Sequence, residues 1–257
     1  MQQVFSSRAL IRYRNEDNQK LRLFCFPYAG GSAATYREWS DALAAHVDLV
    51  AIEYPGRGAR RRERLLTRIT AIVDALLPDI TSAINGPFAL FGHSMGSLVI
   101  YELLRRLLMS GVQPACVVMS GCKPPSVREA GSNLHELPND EFVEELRKLD
   151  GTPEEVLADA ELMSIAFPIL RADFEAVANY SERGNLALSC PVFAYGGMED
   201  PNVAIEELEY WSEITGASCT IRAFPGNHFF IHTQRQMLLR VVATDMLSAV
   251  RHECPPG

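Results

Sequence analysis

The chain has 257 residues, 47% hydrophobic and 22% charged, with a net charge of −8. That balance excludes a disordered chain and argues against a nucleic-acid binder, while the length admits one large α/β domain or two small ones. The first residues hold no apolar run fit for a secretory signal, and nowhere do about 18 apolar residues follow one another as a membrane helix requires, so a cytoplasmic protein with no membrane partner is expected.

Taken in chain order, short apolar runs alternate with amphipathic stretches. LRLFCF (21–26) precedes a helical pattern from Tyr36 to Ala45, and VDLVAIE (47–53) precedes one from Ile69 to Ile84. PFALFG (87–92) leads into a helix from Ser97 to Met109, and ACVVMSG (115–121) follows it. After PVFAYGG (191–197) comes a helical pattern from Ile205 to Ile214, and after SCTIRAF (218–224) one from Gln234 to Val250. Strands apolar throughout, each followed by a helix, predict a mostly parallel sheet covered on both faces, a doubly wound α/β architecture in one domain. Cys25, Cys116 and Cys190 lie in or beside the strand runs with no CxxC pair, which reads as reduced thiols filling the core.

The alternation stops over residues 125–185, where three helix patterns follow one another. The first starts at Asn139 or Asp140 as N-cap and runs through Phe142, Val143, Leu146 and Leu149. The second has Thr152 as cap and Pro153 at its first position, and the third follows Pro168 through Leu170, Phe174, Val177 and Tyr180. This is expected to be a helical insertion between two core strands, too small to fold alone. The tail from His252 is expected to be loose.

The strongest chemical signal is Gly92-His93-Ser94-Met95-Gly96 between a strand and a helix. G-x-S-x-G in that context is the turn that presents a nucleophilic serine at the carboxyl edge of a sheet, with glycines where the backbone is crowded. Without that context the pentapeptide is an ordinary glycine-rich turn capped by a serine. A serine hydroxyl needs a base to take its proton and an acid to orient the base, and in this fold they follow in the order Ser, Asp or Glu, His. Asp200 in GGMEDP follows a strand and is favoured over its neighbour Glu199, because Pro201 restricts it to an extended conformation. His228 in FPGNHFF follows the last strand, with His232 as a rival. HFFIH has Phe229 where a zinc protease motif needs glutamate, so no metal is expected. His46, His135 and His252 are expected in solvent. The oxyanion needs two N–H donors: Met95, after the nucleophile, and Ala29 in FPYAGGS, with Tyr28 one residue away as the alternative.

With these residues in place the chain closely resembles the type II thioesterases that accompany polyketide and nonribosomal peptide synthetases. The resemblance spans nearly the whole length: FPYAGGSAATYREW, YPGRGAR, FGHSMG, the run from LPNDEF to EAVANY, YGGMEDP and FPGNHFF. It implies the α/β-hydrolase fold, with the 125–185 insertion as a lid. It further implies hydrolysis of aberrant or mis-primed acyl groups from the phosphopantetheine arm of an acyl or peptidyl carrier protein. The family's triad falls on Ser94, Asp200 and His228, and its oxyanion amides on Ala29 and Met95. Chemistry read from the residues alone reaches only ester-type hydrolysis through an acyl-Ser94 intermediate, with no cofactor.

Tyr28, Leu162, Met163, Phe167, Phe174 and Phe229 are candidates to touch the acyl chain, against the plainer reading that they pack the lid onto the body. Arg57, Arg60, Arg61 and Arg62, with Arg64 and Arg68, form a basic cluster after a strand, expected either to dock an acidic carrier or to be a solvated face in which Arg57 braces a loop. The alternatives are a generic carboxylesterase or lipase-like hydrolase, an acyltransferase, and a silent module that binds acyl carriers.

Overall fold

The computed structural model describes residues 7–14, 20–128, 133–149, 151, 154–181 and 186–253, the last four of these without their side chains. Seven strands form one sheet: β1 (Leu10–Ile11), β2 (Leu21–Phe26), β3 (Val47–Ile52), β4 (Phe88–His93), β5 (Cys116–Ser120), β6 (Val192–Gly197) and β7 (Cys219–Phe224). Their order is β1-β3-β2-β4-β5-β6-β7, with β1 antiparallel to β3 and every other pairing parallel. The continuous apolar runs of β2 to β6 are buried at every residue, as strands covered on both faces must be, and β7 at the edge is only half covered.

The helices are α1 (Arg37–Ala42), α2 (Ile69–Ala83), α3 (Met95–Met109), α4 (Asn139–Leu149), α5 (Glu154–Leu157), α6 (Ala160–Ala178), α7 (Phe230–Thr233) and α8 (Arg235–Glu253). On one face α2 buries Ile69, Ile72, Val73, Leu76, Ile80 and Ala83 together with α3. That i, i+3, i+4 spacing is what places them on one stripe. On the other face Trp39 of α1 and Leu238, Val242 and Met246 of α8 close a second core. Cys25, Cys116 and Cys190 are buried, as core filler must be. Among the described residues no helix is long and apolar enough to cross a membrane.

Several local expectations need correction. The stretch from Tyr36 to Ala45 is a 3-10 turn, Ala33–Tyr36, followed by the short α1, with the Ser32 hydroxyl accepting the Ala34 N–H at the start. Residues Ile205–Ile214 form a 3-10 helix, whose repeat of three buries Leu208, Trp211 and Ile214. The first helix of the insertion starts one residue early. The Pro138 carbonyl takes the Phe142 N–H, and the Asn139 side chain instead accepts from Arg171 Nη2 at 2.8 Å. The third begins well before Pro168, because the Asp159 carboxylate caps the Glu161 and Leu162 N–H groups, and the helix runs straight through the proline. Thr152, Pro153 and the tail beyond Glu253 lie outside the described residues, while α8 itself continues past Val250.

Between β5 and β6, residues 134–178 hold a 3-10 turn, Leu134–Glu136, and α4 to α6. They have a small core of their own in Phe142, Leu146, Leu157, Met163 and Leu170. Arg171 binds this unit together, donating to the carbonyls of His135 and Leu137 and lying 4.6 Å over the Phe142 ring.

Candidate active site

Strand order places the site. β2 lies between β3 and β4, so the chain reverses its winding there, and the loops leaving β2 and β4 part at their carboxyl ends around a crevice. Phe26 is in register with Gly92, which sets the Pro27–Gly31 loop beside the turn at Ser94. On the other side Gly197 pairs with Phe224, so the loops carrying Asp200 and His228 leave neighbouring strands.

Ser94 stands at φ 52°, ψ −117°, alone among the described non-glycine residues in having positive φ. Such a conformation costs about 1–3 kcal/mol and persists only where its surroundings hold it. Here the Ser94 N–H is bound by the Ser120 carbonyl at 2.7 Å, and the Ser94 carbonyl accepts from Ser97 N–H at 2.9 Å. A Cβ on Gly96 would overlap the Phe26 carbonyl and one on Gly92 the backbone of Gly96, so both glycines are sterically required.

His228 Nδ1 lies 2.6 Å from Asp200 Oδ2, and the Asp200 side chain is fully buried. A carboxylate can only accept, so Nδ1 carries the proton and Nε2 is left as the basic nitrogen. Asp200 Oδ1 accepts from the Asn202 N–H at 2.9 Å, which fixes the carboxylate plane. Glu199 is exposed and stands apart from this pair.

Ser94 and His228 open into one cavity of about 430 Å³, lined also by Tyr28, Ala29, Met95, Phe174 and Phe229. Val177, Leu134 and Leu149 bring residues 134–178 over it. Of the acyl-contact candidates, Tyr28, Phe174 and Phe229 reach this space. Leu162 is 46% exposed and points away, because it falls on the outer face of α6. Met163 and Phe167 pack against α4 in the insertion's own core. Sequence periodicity marks all of them as apolar but does not say which face of α6 meets the sheet.

The basic cluster divides. Arg57 is buried in a two-pronged ion pair with Asp173 of α6, at 2.5 and 2.7 Å, and Arg60 is buried against Glu63 and the Glu53 carbonyl. Neither is available to dock a partner. Arg61, Arg62, Arg64 and Arg68 are exposed. The rival His232 has its Nε2 2.9 Å from the Tyr28 hydroxyl oxygen. His46 is exposed as expected, whereas the His135 side chain is only 14% exposed, since Arg171 ties that turn to α6. The His252 side chain lies outside the described residues.

Four polar groups in or beside the cavity escape sequence reasoning because no motif gives them a role. His93 is fully buried with Nδ1 2.9 Å from Ser120 Oγ and its ring 5.2 Å from that of His228. Burial, then the neighbouring His228 and His232, hold its pKa well below the usual imidazole value. Cys122 lines the cavity, but burial pushes its thiol up to about 11, so it offers no thiolate at neutral pH. Lys123 and Arg128 bring two cations to the lining, the first paired with Glu207 at 2.7 Å.

Residues 21–246 match the protein family described as Thioesterase domain. The chain belongs to the thioesterase family. This thioesterase is 40% identical over 228 residues to the gramicidin S biosynthesis protein GrsT of Aneurinibacillus migulanus, covering 88% of the chain and 89% of GrsT. It is 34% identical over 250 residues to the thioesterase PikA5 of Streptomyces venezuelae, with 95% and 87% covered. Among solved structures, the type II thioesterase BorB from the borrelidin biosynthetic cluster superposes on the thioesterase with a TM-score of 0.87 at 37% identity, over 94% of this chain and 98% of BorB. The fold is that of the α/β hydrolases, and the protein is a hydrolase acting as a thioesterase.

Proposed function

We propose that this thioesterase clears acyl groups from the phosphopantetheine arm of carrier proteins in polyketide or nonribosomal peptide assembly, using Ser94, His228 and Asp200. The observation that carries the catalytic assignment is the 2.6 Å contact between His228 and buried Asp200, in a cavity that the strained Ser94 shares. Ser94 attacks the thioester carbonyl as His228 Nε2 takes its proton, and Asp200 stabilises the imidazolium. The N–H groups of Ala29 and Met95 receive the developing oxyanion. The thiol leaves protonated by His228, and water activated by the same imidazole releases the acid from Ser94.

The carrier-linked substrate is supported by the kind of relative matched along nearly its full length: BorB is a type II thioesterase from the borrelidin biosynthetic cluster, and GrsT is a gramicidin S biosynthesis protein. Residues 134–178 act as the lid, since they supply Phe174, Val177, Leu134 and Leu149 to the cavity wall. The experiment is a hydrolysis panel of acetyl to octanoyl groups, each on a carrier protein, on coenzyme A and as an oxygen ester, for wild type and Ser94→Ala. Thioesters should be cleaved faster than oxygen esters, and the variant should lose at least about a hundredfold with an unchanged melting curve. Equal rates on both ester types would make the protein a general esterase.

A further inference from the structure

We propose that Asp173, on α6 of the insertion, is the positioning residue that holds the loop of Tyr28 to Gly31 in the shape that aims the Ala29 N–H at the oxyanion. This rests on the role proposed above for Ala29. The Asp173 side chain is fully buried. Its Oδ2 accepts the Gly30 N–H at 2.7 Å and Arg57 Nη1 at 2.5 Å, and its Oδ1 accepts Arg57 Nη2 at 2.7 Å. Arg57 Nη1 also donates to the Gly31 carbonyl at 3.2 Å, so the pair grips both glycines. Burial is the largest influence on the Arg57 charge and opposes it, but Asp173, with Tyr54 and Glu53 behind it, holds the guanidinium pKa above its ordinary value.

The bonds continue to the amide in question. The Gly31 N–H donates to the Tyr28 carbonyl at 2.9 Å. That carbonyl and the Ala29 N–H belong to one planar peptide unit and point in opposite directions, so fixing one aims the other. Gly30 sits at φ +78°, where a left-handed backbone lets the turn close, and a Cβ there would meet Leu170, one turn before Asp173 on α6. α6 therefore clamps residue 30 through its N–H and through its Cα face. From behind, Tyr54 Oη donates to the Pro27 carbonyl at 3.0 Å, and the Arg57 guanidinium lies 5.3 Å over the Tyr54 ring. A buried ion pair adds little net stability over apolar residues of similar volume, so its stability alone does not account for this arrangement; what it supplies here is direction.

The test compares wild type with Asp173→Asn and with the double variant Arg57→Met/Asp173→Leu, which removes both charges together and so leaves neither one buried alone. Five quantities are read: kcat and KM on a small acyl-N-acetylcysteamine thioester, the Ki of an acyl trifluoromethyl ketone that forms a tetrahedral oxyanion on the serine, the Ki of the matching unreactive thioether, and Tm. Losing one oxyanion donor costs about 10²–10³ in rate, so a misaimed donor should cost about 10–100-fold in kcat. The ketone should weaken by the same factor, with KM and the thioether within about twofold. Unchanged kcat and ketone affinity in either folded variant overturn the proposal. So does a parallel loss for ketone and thioether, which would mean that Asp173 only holds the lid over the substrate. If Asp173→Asn does not fold, the double variant decides alone. A wild-type enzyme indifferent to the ketone would instead sink the underlying assignment of the site.

Discussion

At the scale of single residues, two carboxylates adjacent in sequence have opposite surroundings. Asp200 is buried against His228 and Glu199 is exposed, so Asp200→Asn is expected to lower kcat by about 10⁴-fold, because an amide cannot stabilise the imidazolium or select the correct tautomer. Glu199→Gln should stay within about twofold, and the reverse ranking would move the acid role to Glu199. His93 should make the fold sensitive to acid. Burial lowers its pKa well below 6.5, so on acidification the unfolded chain takes up a proton that the folded protein refuses. Its stabilising contribution is complete above the unfolded value and is lost as pH falls beneath it, by up to about 1.4 kcal/mol per pH unit. His232, lowered by burial and then by Arg235, adds the same sign, while Glu53, raised by burial, acts with the opposite sign in the carboxylate range. Urea midpoints should drop between pH 7.0 and 5.5 in wild type and drop less in His93→Asn; identical drops would show that His93 stays protonated or exposed.

At the scale of elements, α6 is held unevenly. Its first half exposes Leu162 and Ile165, whereas its second half carries Leu170, Arg171 and Asp173, each bound to another element. Hydrogen exchange is therefore expected to be slow from about residue 170 onward and faster in α4, α5 and the start of α6, by one to three decades if local opening there lies about 1.4–4 kcal/mol lower. Uniformly fast exchange through residues 134–178 would mean that the whole insertion moves as one. This division could not be read from sequence. The six long strands are legible as apolar runs and the site as three motifs, because each is local. Arg57 and Asp173 are 116 residues apart and have no motif in common, so one reads as part of a basic run and the other as a helix-surface acid. β1 has only two residues and exists by pairing with Ile52 and Ala51. Pro168 looks like a helix start, since the capping that overrules it lies at Asp159.

At the scale of the whole molecule, an acidic enzyme exposes Arg61, Arg62, Arg64 and Arg68 on one short stretch, and exposed charges of one sign steer a partner of the opposite sign during encounter. Replacing Arg61, Arg62 and Arg64 with glutamine should lower kcat/KM for an acyl carrier about 3–30-fold at low salt, flatten its salt dependence, and leave a small uncharged thioester unaffected. Equal losses on both substrates would assign these arginines to the fold. The sheet sets a separate constraint on the chemistry. Ser94 leaves β4 and His228 leaves β7, three strands and so about 14 Å apart at the strand ends. The imidazole must lean back over the intervening strands to serve the serine, and its path passes Gly121 at the end of β5, where a Cβ would strike His93 and approach His228 Cε1 to 3.4 Å. A position that carries no reacting atom thus bears on the proton's path at one remove: a side chain at residue 121 would displace His93, whose ring lies 5.2 Å from that of the base.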